Sequence, residues 1–174
     1  MAVVVFAAIA TLTCLAVSTN PDRKWASLPL ALILTMLAAI DLEKMRLPDV
    51  LTLPMIAAGV IFQNIADPSV GVLESVLGAV LGYASFRTIA YYFLRVRKKH
   101  GLGLGDVKLF AGLGAWAGAT MLPVIALIAA IAGLVQAGAS AVFFNRADPR
   151  VRFGPALCFG FWVVWCLNYQ FAAV

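Results

Sequence analysis

Apolar positions along the chain gather into runs of about bilayer length, and polar residues fall mainly in the short breaks between them. A helix needs about 20 largely apolar residues to cross the hydrocarbon core of a membrane. Residues 2–19 form a first run, closed by the polar turn Asn20-Pro21-Asp22-Arg23-Lys24. No Lys or Arg precedes it, so it lacks the basic flank of a cleavable signal peptide and reads as a retained helix. Further runs cover about 25–42, 50–66 and 71–94. The stretch 106–144 is too long for one helix, and Gly118 with Pro123 divides it into a short helix over about 106–118 and another over about 121–144. A last run fills about 154–172. The pattern predicts an all-α, polytopic transmembrane bundle of about six to seven helices, with residues 1–174 as a single membrane-embedded domain.

Composition supports lipid as the solvent. The chain is 63% hydrophobic and 12% charged, against roughly 45–50% and 25% in soluble domains. One small core cannot hide that excess, because a domain of this length still exposes roughly a third of its surface. The net charge of +5 would raise nucleic acid as a partner in a soluble protein. Here the basic residues lie between apolar runs, so they read as topology signals and contacts with anionic membrane lipid, and no nucleic-acid partner is expected.

With a cytoplasmic N-terminus, ten Lys and Arg fall in inside loops, from Lys44 to Arg152, and only Arg23 and Lys24 fall outside. That bias predicts the orientation. It also places Asp41 and Asp106 at the cytoplasmic ends of their helices, at one depth.

Ionisable groups at membrane depth are costly and point to function by default. Two aspartates brought together cannot both ionise readily, so they share a proton. One carboxylate then serves as general base on a water while its protonated partner polarises a peptide carbonyl, chemistry that needs neither metal nor covalent intermediate. Asp106 closes the sequence Gly103-Leu104-Gly105-Asp106, whose glycines permit close backbone approach and positive φ. The same segment also fits a plain loop with an aspartate capping the next helix. Cys14, Cys158 and Cys166 form no C-x-x-C pair and read as small buried hydrophobes. The single histidine, His100, cannot build a multi-histidine metal site, and neither a metal nor a cofactor is expected.

At these residues the chain resembles the type IV prepilin peptidases. Asp41-Leu42-Glu43-Lys44-Met45-Arg46-Leu47-Pro48-Asp49, then Leu51-Thr52-Leu53-Pro54, is similar to that family's first aspartate motif. Lys99-His100-Gly101-Leu102-Gly103-Leu104-Gly105-Asp106-Val107-Lys108-Leu109 is similar to the second, continuing into Gly112-Leu113-Gly114-Ala115-Trp116. Phe153-Gly154-Pro155 fits the final helix, and the resemblance runs over roughly 25–172.

The resemblance implies an aspartic endopeptidase of the bacterial inner membrane. Its substrates would be prepilin-like precursors, which lose a short basic leader at the cytoplasmic face, and a pilus or type II secretion assembly would use the product. Asp41 and Asp106 map onto the catalytic pair. Gly103, Gly105, Lys108, Asp49, Glu43 and Pro48 are supporting candidates, with Asp49 the next-ranked carboxylate and Lys108 either tuning Asp106 or marking the interface. The turn between the first two runs is short and lacks cysteines, so the chain resembles the short, peptidase-only branch without a methyltransferase region.

Two other readings use the same carboxylates. The presenilin and signal-peptide-peptidase group also carries G-x-G-D, and Pro155-Ala156-Leu157 is similar to its Pro-Ala-Leu signature, but its first aspartate follows a tyrosine whereas Asp41 follows Ile40. A small proton- or cation-coupled transporter would want its acids near the midplane. Elsewhere, Gly78 with Gly82 and Gly114 with Gly118 are small-residue steps expected in helix packing. Trp162, Trp165 and Tyr169 suit an interfacial belt. Arg87 either snorkels or pairs across the bundle.

Overall fold

The computed structural model describes residues 21–44, 47–66, 71–97, 102–144 and 153–171. The helix expected over 2–19, His100 and most of the basic inside loops lie outside the described residues. Within them the protein is helical without a strand: α1 Pro21–Lys44, α2 Asp49–Ala66, α3 Gly71–Arg97, α4 Leu104–Ala117, α5 Leu122–Phe144 and α6 Phe153–Phe171. Three are long and apolar enough to cross a membrane: α1 from Ala26, α3 to Val96, and α5 to Ala139. α2 and α6 carry shorter apolar stretches. Outward side chains on the spanning helices include Leu32, Met36, Leu73 and Leu134, all well exposed, as lipid-facing positions should be.

The short helix α4 lies at the centre. Every residue from Leu109 to Trp116 is buried, the pattern of a helix enclosed on all sides. α3, α2 and α6 pack around it. At 14 residues it is about 21 Å long, short of the roughly 30 Å hydrocarbon core. Such a helix can stop within a bundle only if protein groups take up its last carbonyls. Ser75 Oγ donates to Ala115 O at 2.6 Å, and Gln63 Nε2 donates to Trp116 O. The Trp116 indole N–H in turn donates to Met55 O at 2.9 Å. The chain then turns at Gly118, whose φ of +82° favours glycine, and whose N–H closes on Gly114 O at 2.9 Å.

The expected small-residue steps pack against each other across α3 and α4. A Cβ at Gly78 would stand 2.2 Å from Gly114 O, one at Gly114 would stand 2.2 Å from Gly78 O, and one at Gly82 would stand 2.8 Å from Phe110 O. The two backbones are in direct contact, so only glycine fits.

The tryptophans of α6 do not form an interfacial belt. Trp162 is buried, and Trp165 is half-buried with its indole N–H donating to Ser27 Oγ at 3.1 Å. Its ring stacks on Phe161 and meets Trp116 edge-on. The polar edge of Trp165 has a partner inside the bundle, so it needs no headgroup. Tyr169 lies outside the described side chains. Arg87 is exposed on α3 with no ion pair among the described residues.

Candidate active site

Asp41 sits in the last turn of α1, and Asp106 in the first turn of α4. Asp41 is buried to 7% exposure and Asp106 is half-buried. Both line one cavity of about 310 Å³, with Leu47, Asp49, Gly103, Leu104, Gly105 and Lys108.

The glycines of Gly103-Leu104-Gly105-Asp106 shape this cavity by the space they leave. A Cβ at Gly105 would stand 2.9 Å from Leu47 Cβ and 3.3 Å from its backbone N. The buried Leu47 therefore rests directly on the first turn of α4, which draws the segment after Asp41 towards Asp106. A Cβ at Gly103 would stand 3.3 Å from Asp106 Oδ2, so that glycine makes room for the carboxylate. The permitted positive φ is not used: Gly103 is extended, at φ −72° and ψ 144°.

α4 also starts two residues earlier than expected, which makes Gly103 the N-cap and puts Asp106 three positions into the helix. From there Asp106 accepts a backbone hydrogen bond from Gly103, one half of a capping box. That bond and the helix N-terminus favour its ionised form. Burial works the other way and is the larger effect, and the nearby Asp41 carboxylate adds to it. The net result is an Asp106 pKa raised to about 6. The site thus holds a proton well above the usual carboxylate range.

Lys108 points to Asp49, not Asp106. Its Nζ donates to both Asp49 oxygens, at 2.6 and 2.7 Å, tying the start of α2 to the first turns of α4. The pair is 31% and 55% exposed, and such pairs contribute only about 0.2–1 kcal/mol. Glu43 is exposed and does not line the cavity. Pro48 lies outside it too, and its carbonyl accepts the Leu51 and Thr52 N–H groups that open α2, at 3.1 and 3.3 Å. No group of three or more His, Cys, Asp or Glu with the arrangement of a metal site occurs among the described residues.

One residue at the site was not among the candidates drawn from the sequence. A Cβ on Gly154, the second residue of α6, would stand 2.6 Å from Asp41 Oδ2. The only sequence signal was its place in Phe153-Gly154-Pro155, which does not name what it touches.

Fold and site together define a multi-pass helical membrane protein with two carboxylates from different helices in one cavity. Residues 28–138 match the type IV leader peptidase family, and the chain belongs to that family. It is 36% identical over 139 residues to a prepilin leader peptidase/N-methyltransferase of Aeromonas hydrophila, an alignment covering 79% of this chain and 48% of that protein. The Neisseria gonorrhoeae protein of the same name is 39% identical over 139 residues, covering 80% and 47%. That of Dickeya chrysanthemi is 40% identical over 131 residues, covering 75% and 44%. The chain spans about half the length of these curated relatives. No solved structure matches it.

Proposed function

We propose that the protein is an aspartic endopeptidase that removes the short basic leader from type IV prepilin-like precursors at the cytoplasmic face of the inner membrane. The observation that carries this reading is the shared cavity of Asp41 and Asp106, in which burial and the neighbouring Asp41 carboxylate raise the Asp106 pKa to about 6. Ionised Asp41 takes a proton from water as the oxygen attacks the scissile carbonyl. Asp106, protonated, donates a hydrogen bond to that carbonyl oxygen and stabilises the negative charge gathering there. As the tetrahedral intermediate collapses, the proton now on Asp41 passes to the leaving amine and the C–N bond breaks. The dyad returns with its single proton, and no metal or cofactor enters the balance.

The substrate's apolar segment lies in lipid while its leader crosses the cavity mouth, and a pilus or type II secretion assembly takes up the trimmed product. Both carboxylates sit in terminal helical turns, which suits a membrane-spanning substrate cut near one interface better than it suits a conduction path.

The test is processing of a tagged prepilin precursor in reconstituted membranes. Asp41→Asn and Asp106→Asn should each lower the rate by about 10²–10⁴ while the proteins still insert and fold, and Asp49→Asn should stay within about tenfold of wild type. Undiminished processing by Asp41→Asn, or no processing of any precursor by the wild type, overturns the reading and turns the question to transport.

A further inference from the structure

We propose that Gly154 is a positioning residue for the reaction, the bare stretch of backbone on which the Asp41 carboxylate is seated. The inference rests on Asp41 being one of the two reacting carboxylates and concerns how that group is held.

Asp41 needs such a seat. It is nearly buried, and it lies in the last turn of α1, where the carbonyl end of a helix disfavours a negative charge. Gly154 lies in the first turn of α6, the end whose free N–H groups favour one. The three atoms nearest to a Cβ built on Gly154 all belong to Asp41: Oδ2 at 2.6 Å, Cγ at 2.9 Å and Cβ at 3.2 Å. Backbone conformation does not explain the glycine, because the positive-φ glycines of the described chain are Gly71 and Gly118. Space alone requires it, and Asp41 fills that space.

The geometry also says which partner would yield to a larger residue. α6 is wedged against α5: a Cβ at Gly160 would stand 2.9 Å from Ile125 O and 3.0 Å from Ala129 N. Phe153, next to Gly154, packs its ring against Phe86. Helix α6 cannot back away, whereas the Asp41 carboxylate can swing aside by side-chain rotation. A methyl group at 154 therefore displaces the carboxylate at small cost to the fold and large cost to the alignment of the pair.

The experiment compares Gly154→Ala with Gly133→Ala, whose new methyl would meet the Phe153 ring at an ordinary 3.5 Å. Steady-state processing of a prepilin precursor and thermal unfolding are measured on both. Gly154→Ala should lower kcat at least 30-fold with KM within about threefold, and Gly133→Ala should process like wild type. Any loss of Tm in Gly154→Ala should be mostly absent when the same change is made in Asp41→Ala, which lacks the two nearest atoms it strikes, Oδ2 and Cγ, and keeps only the Cβ at 3.2 Å. Wild-type kcat in Gly154→Ala overturns the proposal, and so does an equal Tm loss in both backgrounds. Failure of the dyad is read separately: full activity of Asp41→Asn removes the catalytic reason for the seat, while the Tm comparison still reports whether residues 41 and 154 touch.

Discussion

The two ends of α4 are built on opposite plans. At its C-terminal end, Ser75 and Gln63 take up the last carbonyls, the Trp116 indole donates to α2, and the glycines bring α3 into backbone contact. At its N-terminal end the helix opens on a cavity holding two carboxylates, one of them raised to about 6. The first end pairs its helix-terminal carbonyls with side-chain donors, leaving Gln63 Oε1 as a buried oxygen without a hydrogen-bond partner among the described residues. The second keeps like charges close in a poorly solvated place, a conflict that only a firmly held helix can sustain. Stability at one end offsets the cost of chemistry at the other.

The comparison breaks most severely at the backbone contact. Gly114→Ala or Gly78→Ala would put a methyl 2.2 Å from the opposite carbonyl oxygen, and we expect a loss above about 3 kcal/mol, seen as failure to recover folded protein in detergent. Gly138→Ala, with no atom within 4 Å, should stay within about 0.5 kcal/mol of wild type. Next in size is Gln63→Leu, which strips the donor from Trp116 O. It should cost about 1–3 kcal/mol on unfolding yet leave KM and kcat for a precursor nearly unchanged.

The cavity end sharpens the contrast through pH. Asp106 has a folded pKa of about 6 against an ordinary 3.8, so between these values the folded state binds more protons than the unfolded. Stability from this group is therefore full below about pH 4, falls as pH rises to about 6, and is level above. Thermal unfolding across pH 4–7 should show that slope, and Asp106→Asn should remove it. In the same window the proposed mechanism predicts that kcat/KM declines as pH rises through about 6, because it needs the proton on Asp106. Smallest is Lys108→Met, which breaks a half-exposed pair and should cost about 0.2–1 kcal/mol by the same unfolding measurement.

Much of this was legible in the chain. Apolar runs marked the helices, and Gly118 marked the break between α4 and α5, because lipid allows few other patterns. The two aspartates stood out as acids at helix ends with motif neighbours. Contacts between distant segments were not legible. Gln63 looked like a polar residue near the end of a span, and nothing in its neighbourhood says that it closes α4. Trp165 at a helix end reads the same whether its N–H meets a headgroup or Ser27. Gly103 and Gly105 were expected to permit close backbone approach and positive φ; the structure uses the missing side chains for close approach and not the positive φ, and what approaches, Asp106 and Leu47, is visible only once the fold is in place. Lys108 could be drawn to either of two acids, and only the approach of α2 to α4 directs it to Asp49.

The seating of Asp41 against Gly154 also bears on the order of assembly. Ribosomes deliver α1 to the membrane early and α6 after the other five described helices. The carboxylate at position 41 thus waits through most of synthesis without the backbone it rests on, and its surroundings are completed only when residue 154 arrives. A nascent chain halted after α5 would hold both aspartates yet lack the cradle for one of them, so the proposed pair is complete only once the membrane domain has closed.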